Sequence, residues 1–165
     1  MSASRTHPPK VPRHPAIVLG WRECVDLPEL GVYGIRAKLD TGARSSSLHA
    51  TSISTIRRDH HTFVRFHLIL GPKGRSRSIE TTARIVDERM VKDSGGHESL
   101  RPVILTEVEI AGWSWPIEVT LASRSDMSFR MLLGRQGLSG HAIIDVSKSY
   151  TAGRRSARLS RTKRP

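Results

Sequence analysis

Hydrophobic and polar residues alternate along several segments in the middle of the chain. In residues 62–70 one side of this alternation is wholly apolar, comprising Val64, Phe66, Leu68 and Leu70. A period of two is typical of a strand that buries one face. Further apolar or β-branched runs between turn residues predict strands at 16–21, 32–39, 78–91, 103–110, 115–121, 130–133 and 142–146. We therefore expect a mostly β domain with one helical turn at 135–139.

The positive charge of the chain is concentrated at its two ends. The 165 residues have a formal net charge of +12. The end segments are rich in Pro, Ser and Arg and poor in large apolar residues, so they bury too little surface to become ordered. We expect a basic, Pro-rich disordered leader at 1–14, one folded domain at 15–150 and a basic disordered tail at 151–165. The tails are expected to be mainly solubilising, with weak RNA or ribosome contact as the alternative.

Composition also limits the cellular compartments in which we expect this protein. Cys24 is the single cysteine, so an internal disulfide and a Cys-rich metal cluster are both excluded. No apolar run approaches the roughly 20 residues that a membrane helix needs. The apolar run at 16–21 is too short for a signal peptide. We therefore expect a cytoplasmic protein with no membrane partner.

Residues 38–43, Lys-Leu-Asp-Thr-Gly-Ala, place a carboxylate at the end of a predicted strand. Aspartic catalysis needs two carboxylates that share one proton, so that one acts as a base on water while the other polarises the scissile carbonyl. Asp40 supplies half of such a dyad if Thr41 hydrogen-bonds inward and Gly42 permits a sharp turn. The alternative is an ordinary turn in which Asp40 and Thr41 cap local backbone amides.

A second motif, Met-Leu-Leu-Gly-Arg at 131–135, is a short apolar strand closed by glycine. Together with residues 39–43 it resembles the active-site and apolar-apolar-glycine motifs of retropepsin-like aspartic peptidases, the fold of retroviral proteases. More closely, the chain is similar to a bacterial family of retropepsin-like aspartic endopeptidases that is often labelled ATP-dependent zinc protease. The segments that carry this similarity are 38–50, 86–89, 101–103, 115–121, 124–127 and 131–135.

This resemblance implies a closed β-barrel with Asp40 at its base. One Asp-Thr-Gly motif supplies one carboxylate, so the resemblance also implies a homodimer in which Thr41 grips its symmetry mate. Asp126 and Asp145 could act as a second carboxylate within a monomer, but they rank below dimerisation. The residue roles that the resemblance implies are catalysis by Asp40, Thr41 and Gly42, substrate binding by Ala43, Arg44 and Arg135, and support of the site by Leu133 and by Gly134, which would pack under the Asp40 loop.

Two features depart from the retroviral pattern. Arg44 stands where those enzymes usually carry an acidic residue, so it cannot pair with Arg135. Either the two arginines form a basic rim for acidic peptide segments, or each pairs with a structural acid such as Asp87, Glu88 or Asp126. Asp40 and Gly134 are also 94 residues apart, which predicts a flap or an added hairpin within 71–101. Gly95 and Gly96 would form either its mobile tip or an ordinary surface turn.

The expected function is therefore an aspartic endopeptidase that acts on proteins or peptides without a metal or other cofactor. One alternative is a non-catalytic peptide-binding or ribosome-associated module on the same fold. A zinc peptidase is the least favoured, because the histidines are scattered, with no clustered Cys and His ligands and no His-Glu-x-x-His motif. His49 alone follows the Asp40 motif closely enough to reach the periphery of the site. ATP dependence has no phosphate-binding loop to support it.

Overall fold

The computed structural model describes residues 15–72, 74–92, 95–123 and 128–153. The expected leader and residues 154–165 of the expected tail lie outside the described residues and stay predictions. Among the described residues, no helix is long and apolar enough to span a membrane. The elements are β1 (Ile17–Gly20), β2 (Arg22–Leu27), a 3-10 turn (Pro28–Leu30), β3 (Val32–Leu39), β4 (Ser46–His49), β5 (Thr51–Arg58), β6 (His61–Leu70), β7 (Arg77–Lys92), β8 (Glu98–Ile110), β9 (Trp113–Ala122), β10 (Met131–Leu133), α1 (Arg135–Leu138) and β11 (Ala142–Asp145).

The strands form a closed barrel. The main sheet runs in the order β2-β3-β10-β4-β9-β8-β7-β6-β5. Pairing of Asp26 on β2 with Glu109 on β8 joins the first of these strands to the sixth. Strands β7, β6 and β5 continue the sheet beyond β8, outside this closed ring. The prediction of a mostly β, closed-barrel fold with one short helix is confirmed.

The alternating pattern of β6 is buried as the sequence predicts. Val64, Phe66, Leu68 and Leu70 all lie in the hydrophobic core. Burying one such side chain contributes about 1.5–3 kcal/mol relative to leaving it exposed. This face therefore fixes the register of β6, because a slip by one residue would turn its apolar side chains to solvent.

The sequence pattern missed β2, because two carboxylates of this strand face inward. Glu23 is fully buried and accepts hydrogen bonds from the backbone amides of Gly20 (2.7 Å) and Thr151 (3.0 Å) and from the Thr151 hydroxyl (2.5 Å). Asp26 is also buried and accepts from the Gly34 amide at 2.7 Å. Thr151, which the sequence assigned to the basic tail, is therefore attached to the body through Glu23.

Strand β10 lies between β3 and β4 in the barrel. It pairs in parallel with β3, with Leu133 opposite Leu39. Its other edge pairs in antiparallel fashion with β4, with Met131 opposite Leu48. The chain segment that follows β3 and the segment that follows β10 therefore leave the sheet side by side.

A separate two-stranded sheet lies beside the barrel. Strands β1 and β11 pair in parallel, with Val18 opposite Ile143 and Gly20 opposite Asp145. The chain then passes from β1 through Trp21, whose carbonyl accepts the Leu39 amide at 2.8 Å. One end of this small sheet is thus linked to the end of β3.

Candidate active site

Asp40 is held at the junction of β3 and β10. Its backbone amide donates to the Leu133 carbonyl at 2.8 Å. Its own carbonyl accepts the Ala43 amide at 3.1 Å, which closes a turn over residues 40–43. Leu133 is fully buried, so its backbone is a rigid support for this turn. The structure therefore brings the two sequence motifs into direct contact, and the supporting role of Leu133 in the site stays a prediction.

The two carboxylate oxygens of Asp40 have different partners. Oδ1 accepts the Gly42 amide at 3.0 Å, and Oδ2 lies 3.3 Å from the Lys38 ammonium. The side chain keeps 26% of its surface exposed, so it is accessible to a reacting molecule. The Gly42 bond is the local capping interaction of an ordinary turn. The attachment to Leu133, in contrast, is not local.

Gly42 lies close to the Asp40 carboxylate. A Cβ at this position would lie 3.2 Å from Asp40 Oδ1, closer than most real Cβ contacts. Any side chain here would press on the carboxylate. Gly42 is not among the glycines with a positive φ, so the sharp turn expected from the sequence is made without the left-handed backbone that favours glycine.

Gly134 packs against the chain that leaves the Asp40 loop. A Cβ on Gly134 would lie 2.6 Å from the carbonyl carbon of Ser45 and 2.9 Å from its amide nitrogen. The Gly134 amide also donates to the Ser46 hydroxyl at 3.1 Å in the buried interior. Only a residue without a side chain fits this close approach. Gly134 therefore lies directly against the backbone of Ser45, and its supporting role in the site stays a prediction.

Helix α1 holds the rest of the loop through its first residues. The amide of Arg135 donates to the Ala43 carbonyl at 2.8 Å, and the amide of Gln136 donates to the Arg44 carbonyl at 3.0 Å. The Arg135 guanidinium donates to the Thr41 carbonyl at 3.0 Å. Arg135 therefore stabilises the Asp40 loop from below, in addition to the substrate contact predicted for it.

The two interpretations of Arg44 and Arg135 can be compared with these contacts. Asp87, one suggested partner, pairs instead with Arg89 at 2.8 Å. Asp126 lies outside the described residues. Within the described part of the chain, no ion pair involves Arg44, which is exposed beside the site. The role of Arg44 in substrate binding stays a prediction.

Asp145 and His49 are the remaining candidates. Asp145 is engaged in its own turn, where hydrogen bonds from the Ser147 hydroxyl (2.6 Å) and amide (3.0 Å) lower its pKa. His49 is buried at the other end of β4 from Ser46, which contacts Gly134. Burial lowers the pKa of His49 below its ordinary value of 6.5, and Arg130 acts in the same direction. His49 is therefore a buried strand residue, and its expected place at the periphery of the site is wrong.

Sequence reasoning missed Lys38, a cation beside Asp40, and Arg22 on the neighbouring strand. Lys38 forms the ion pair described above, and Arg22 lies directly opposite Lys38 on β2. The Arg22 guanidinium is stacked 4.6 Å from the ring centre of Trp21 and 5.2 Å from that of Tyr150. The spacing of Lys38, two residues before Asp40 on a strand, could have revealed it, because such residues share one face.

The sheet elaboration expected within 71–101 is the long β7–β8 hairpin. Residues Lys92 and Glu98 are its last paired positions, and Gly95–Gly96 lies at its turn. Met90 and Leu100 are directly paired and are 61% and 59% exposed. An exposed apolar pair at the end of a hairpin is typical of a surface that packs against another molecule or segment. A flap role for this hairpin stays a prediction.

A metal site has little support in the described ranges. No group of three or more His, Cys, Asp or Glu side chains there is arranged to hold a metal ion. Cys24 is buried, and burial raises the pKa of its thiol. The adjacent Glu23 acts in the same direction on the Cys24 pKa. Its environment therefore favours the protonated thiol, which is a poor metal ligand.

Comparisons with known proteins point to one family. Residues 18–155 match the family model described as RimB-like, retropepsin-like aspartic endopeptidase RimB. A crystal structure of a Legionella pneumophila protein of unknown function is similar, with a TM-score of 0.66 and 28% identity. That match covers 82% of this chain and 98% of the Legionella chain.

Two curated relatives carry a different name. A protein of Shewanella pealeana named probable alpha-L-glutamate ligase is 36% identical over 136 residues, which is 82% of this chain and 30% of the relative. A Desulfotalea psychrophila protein of the same name is 36% identical over 136 residues, 82% of this chain and 29% of the relative. The chain therefore spans about 30% of the length of the curated relatives it matches.

Proposed function

Because this chain belongs to the RimB-like family of retropepsin-like aspartic endopeptidases, we propose that it hydrolyses peptide bonds. The observation that carries the proposal is the setting of Asp40. Its partly exposed carboxylate stands at a strand end, and its amide is bonded to the Leu133 carbonyl of the second motif. A carboxylate fixed in this way can be presented to a substrate in one orientation.

Two copies of Asp40 would form the catalytic dyad. When two carboxylates approach closely they share one proton, because both cannot be ionised together. The ionised one accepts a proton from water, whose oxygen attacks the peptide carbonyl carbon. The protonated one donates its proton to the carbonyl oxygen. The C–N bond of the resulting tetrahedral intermediate then breaks as the amine nitrogen takes a proton from the protonated carboxyl group. One hydroxyl of the intermediate gives its proton to the other carboxylate, which restores the single shared proton of the dyad.

A homodimer is needed because the chain has one Asp-Thr-Gly motif. Thr41 is exposed in the single chain, which leaves it available to a second copy. The small sheet offers an apolar surface: Val18 and Ile143 are directly paired and are 53% and 59% exposed, and Val146, the residue after β11, is 77% exposed. Exposed apolar patches of this kind mark association surfaces. We place the second copy against this β1–β11 surface.

The proposed substrate is an acidic, glutamate-rich peptide segment. Arg44 and Arg135 are both exposed beside the Asp40 loop, and guanidinium groups bind carboxylates in a bidentate manner. Relatives named as glutamate ligases contain a segment similar to this chain. An enzyme that joins glutamate to a chain and a peptidase that removes it would act on the same acidic product.

The names of these relatives also favour a second candidate. A domain that matches about 30% of a ligase could hold an acidic peptide for a neighbouring enzyme without cutting it. Such a module would bind glutamate-rich peptides, and replacement of Asp40 would not affect its function. Cleavage that depends on Asp40 distinguishes the peptidase from this module.

The test uses the purified full chain and a set of glutamate-rich and glutamine-rich peptides, with products identified by mass spectrometry. We expect cleavage of the acidic set, and a loss of about 10³-fold or more in the Asp40→Asn variant. Asp59→Asn is the matched control, because that carboxylate is exposed in the turn between β5 and β6. Equal cleavage by the Asp40→Asn variant would refute the proposal.

A further inference from the structure

Lys38 is the cation that lies against the proposed catalytic carboxylate. Residues 38 and 40 are separated by two positions at the end of β3, so their side chains leave the same face. The Lys38 ammonium is 3.3 Å from Asp40 Oδ2. A substrate group that binds at Asp40 would therefore also lie close to Lys38.

The ion pair between Lys38 and Asp40 is easily opened. The Lys38 side chain is 43% exposed and that of Asp40 is 26% exposed. Exposed ion pairs contribute little to stability, because water screens them and ordering the side chains costs entropy. A substrate group can therefore replace Asp40 as the partner of Lys38 at small energetic cost.

Arg22 adds a second positive charge on the same face. It lies directly opposite Lys38 on the neighbouring strand, and directly opposed residues of an antiparallel pair share a face. Its guanidinium is held between the Trp21 and Tyr150 rings, and its Nε donates to the Ser149 hydroxyl at 3.1 Å. Lys38 thus contacts the carboxylate directly, and Arg22 adds a positive charge on the neighbouring strand.

We propose that Lys38 selects an acidic side chain next to the scissile bond. The ammonium moves from Asp40 Oδ2 to the side-chain carboxylate of the bound substrate, and Arg22 holds the local field positive. The flexible four-carbon stem and the three N–H donors of lysine suit such a change of partner. Arg135 is less suited to this role, because its guanidinium is bound to the Thr41 carbonyl.

This inference rests on the proposed function, and it adds the residue that reads the substrate. The first experiment measures kcat/KM on paired peptides that differ by Glu or Gln beside the cleaved bond. We expect the wild type to prefer Glu and the Lys38→Met variant to lose about tenfold of that preference, as expected for one charge-assisted contact. Lys38→Arg should keep most of it.

Arg36→Met is the matched control. Arg36 is exposed on the same strand, two positions farther than Lys38 from Asp40, so general loss of positive charge is tested without touching the ion pair. The preference for Glu should be unchanged in this variant. If Lys38→Met keeps the wild-type Glu preference while both peptides are cut more slowly, the inference is overturned.

A binding experiment separates this inference from hydrolysis itself. Fluorescence anisotropy measures the affinity of labelled Glu and Gln peptides for the Asp40→Asn variant, in which Lys38 has no carboxylate partner. We expect this variant to bind the Glu peptide about tenfold more tightly than the Lys38→Met/Asp40→Asn double variant does. Equal Glu binding by the two variants contradicts a role for Lys38, whether or not the wild type cuts peptides. Lys38-dependent binding without any cleavage refutes the peptidase proposal and leaves the recognition role supported.

Discussion

The amide of Asp40 and the carbonyl of Leu133 are 2.8 Å apart, although 93 residues separate them in the chain. This bond exists because β10 lies between β3 and β4 and runs parallel to β3. The position of the carboxylate is therefore set by the barrel and not by its own turn alone. Changes in the β10 motif should consequently affect both folding and any chemistry at Asp40.

Replacing Gly134 by Ala should destabilise the fold. The added methyl would lie 2.6 Å from the carbonyl carbon of Ser45, and overpacking of this kind costs about 1–3 kcal/mol. Urea unfolding followed by circular dichroism measures the change. Ser139→Ala, an exposed position just after α1, is the control and should stay close to the wild type. An unchanged midpoint for Gly134→Ala would mean that the two segments are not in close contact.

Replacing Glu23 by Gln should weaken the attachment of the segment around Thr151 to the rest of the domain. The buried carboxylate accepts from Gly20, Thr151 and Ala152, and an amide offers one oxygen in place of two. A buried donor left without its partner costs about 1–3 kcal/mol. Hydrogen exchange at Thr151 should accelerate, whereas the exposed Glu98→Gln should change neither exchange nor stability. Full protection of Thr151 in Glu23→Gln would contradict this role.

Much of the fold follows from patterns that are local in the sequence. The four apolar residues of β6 predict their own burial, and turn glycines mark the β6–β7, β7–β8 and β8–β9 hairpins. Strand β2 was missed because Glu23 and Asp26 are polar residues on its buried side, and they are satisfied by amides from distant segments. Strand β4 was missed because Ser46 and His49 are polar but buried.

Part of the candidate site was likewise predictable from patterns that are local in the sequence. The Asp-Thr-Gly and Leu-Leu-Gly motifs indicate Asp40 and Gly134 through their residue types. The contact between Arg135 and the Thr41 carbonyl depends on how α1 follows β10, which no local pattern encodes. The alignment of Arg22 with Lys38 depends likewise on the register of β2 against β3.

Stability should fall as the pH decreases through the ordinary pKa of histidine. The pKa of His49 is lowered by burial from its ordinary value of 6.5, so below that pH the unfolded chain binds a proton that the folded chain does not. Stability therefore rises with pH across this range. Urea unfolding between pH 5 and 8 measures how the free energy of unfolding depends on pH. This dependence should be shallower for His49→Gln than for the wild type, by an amount that corresponds to about one titrating group. An identical slope would exclude His49 as its source.

Placing a charge on the β1–β11 surface should prevent self-association. Ile143 is 59% exposed opposite Val18, and a Glu in an apolar interface would be buried without a partner. Sedimentation should show the Ile143→Glu variant as a monomer at concentrations where the wild type is a dimer. Leu105→Glu is the control, since Leu105 is 53% exposed on β8. A dimeric Ile143→Glu variant would place the interface elsewhere.

In the proposed mechanism, each active unit needs Asp40 from two copies of the chain. The most direct measurement mixes the wild type with the Asp40→Asn variant at constant total concentration, allows exchange of copies, and records peptide cleavage. Two required carboxylates predict activity proportional to the square of the wild-type fraction, so an equal mixture retains about a quarter of the rate. A linear decrease, with about half of the rate retained in the equal mixture, would contradict the account, since each copy would then act alone.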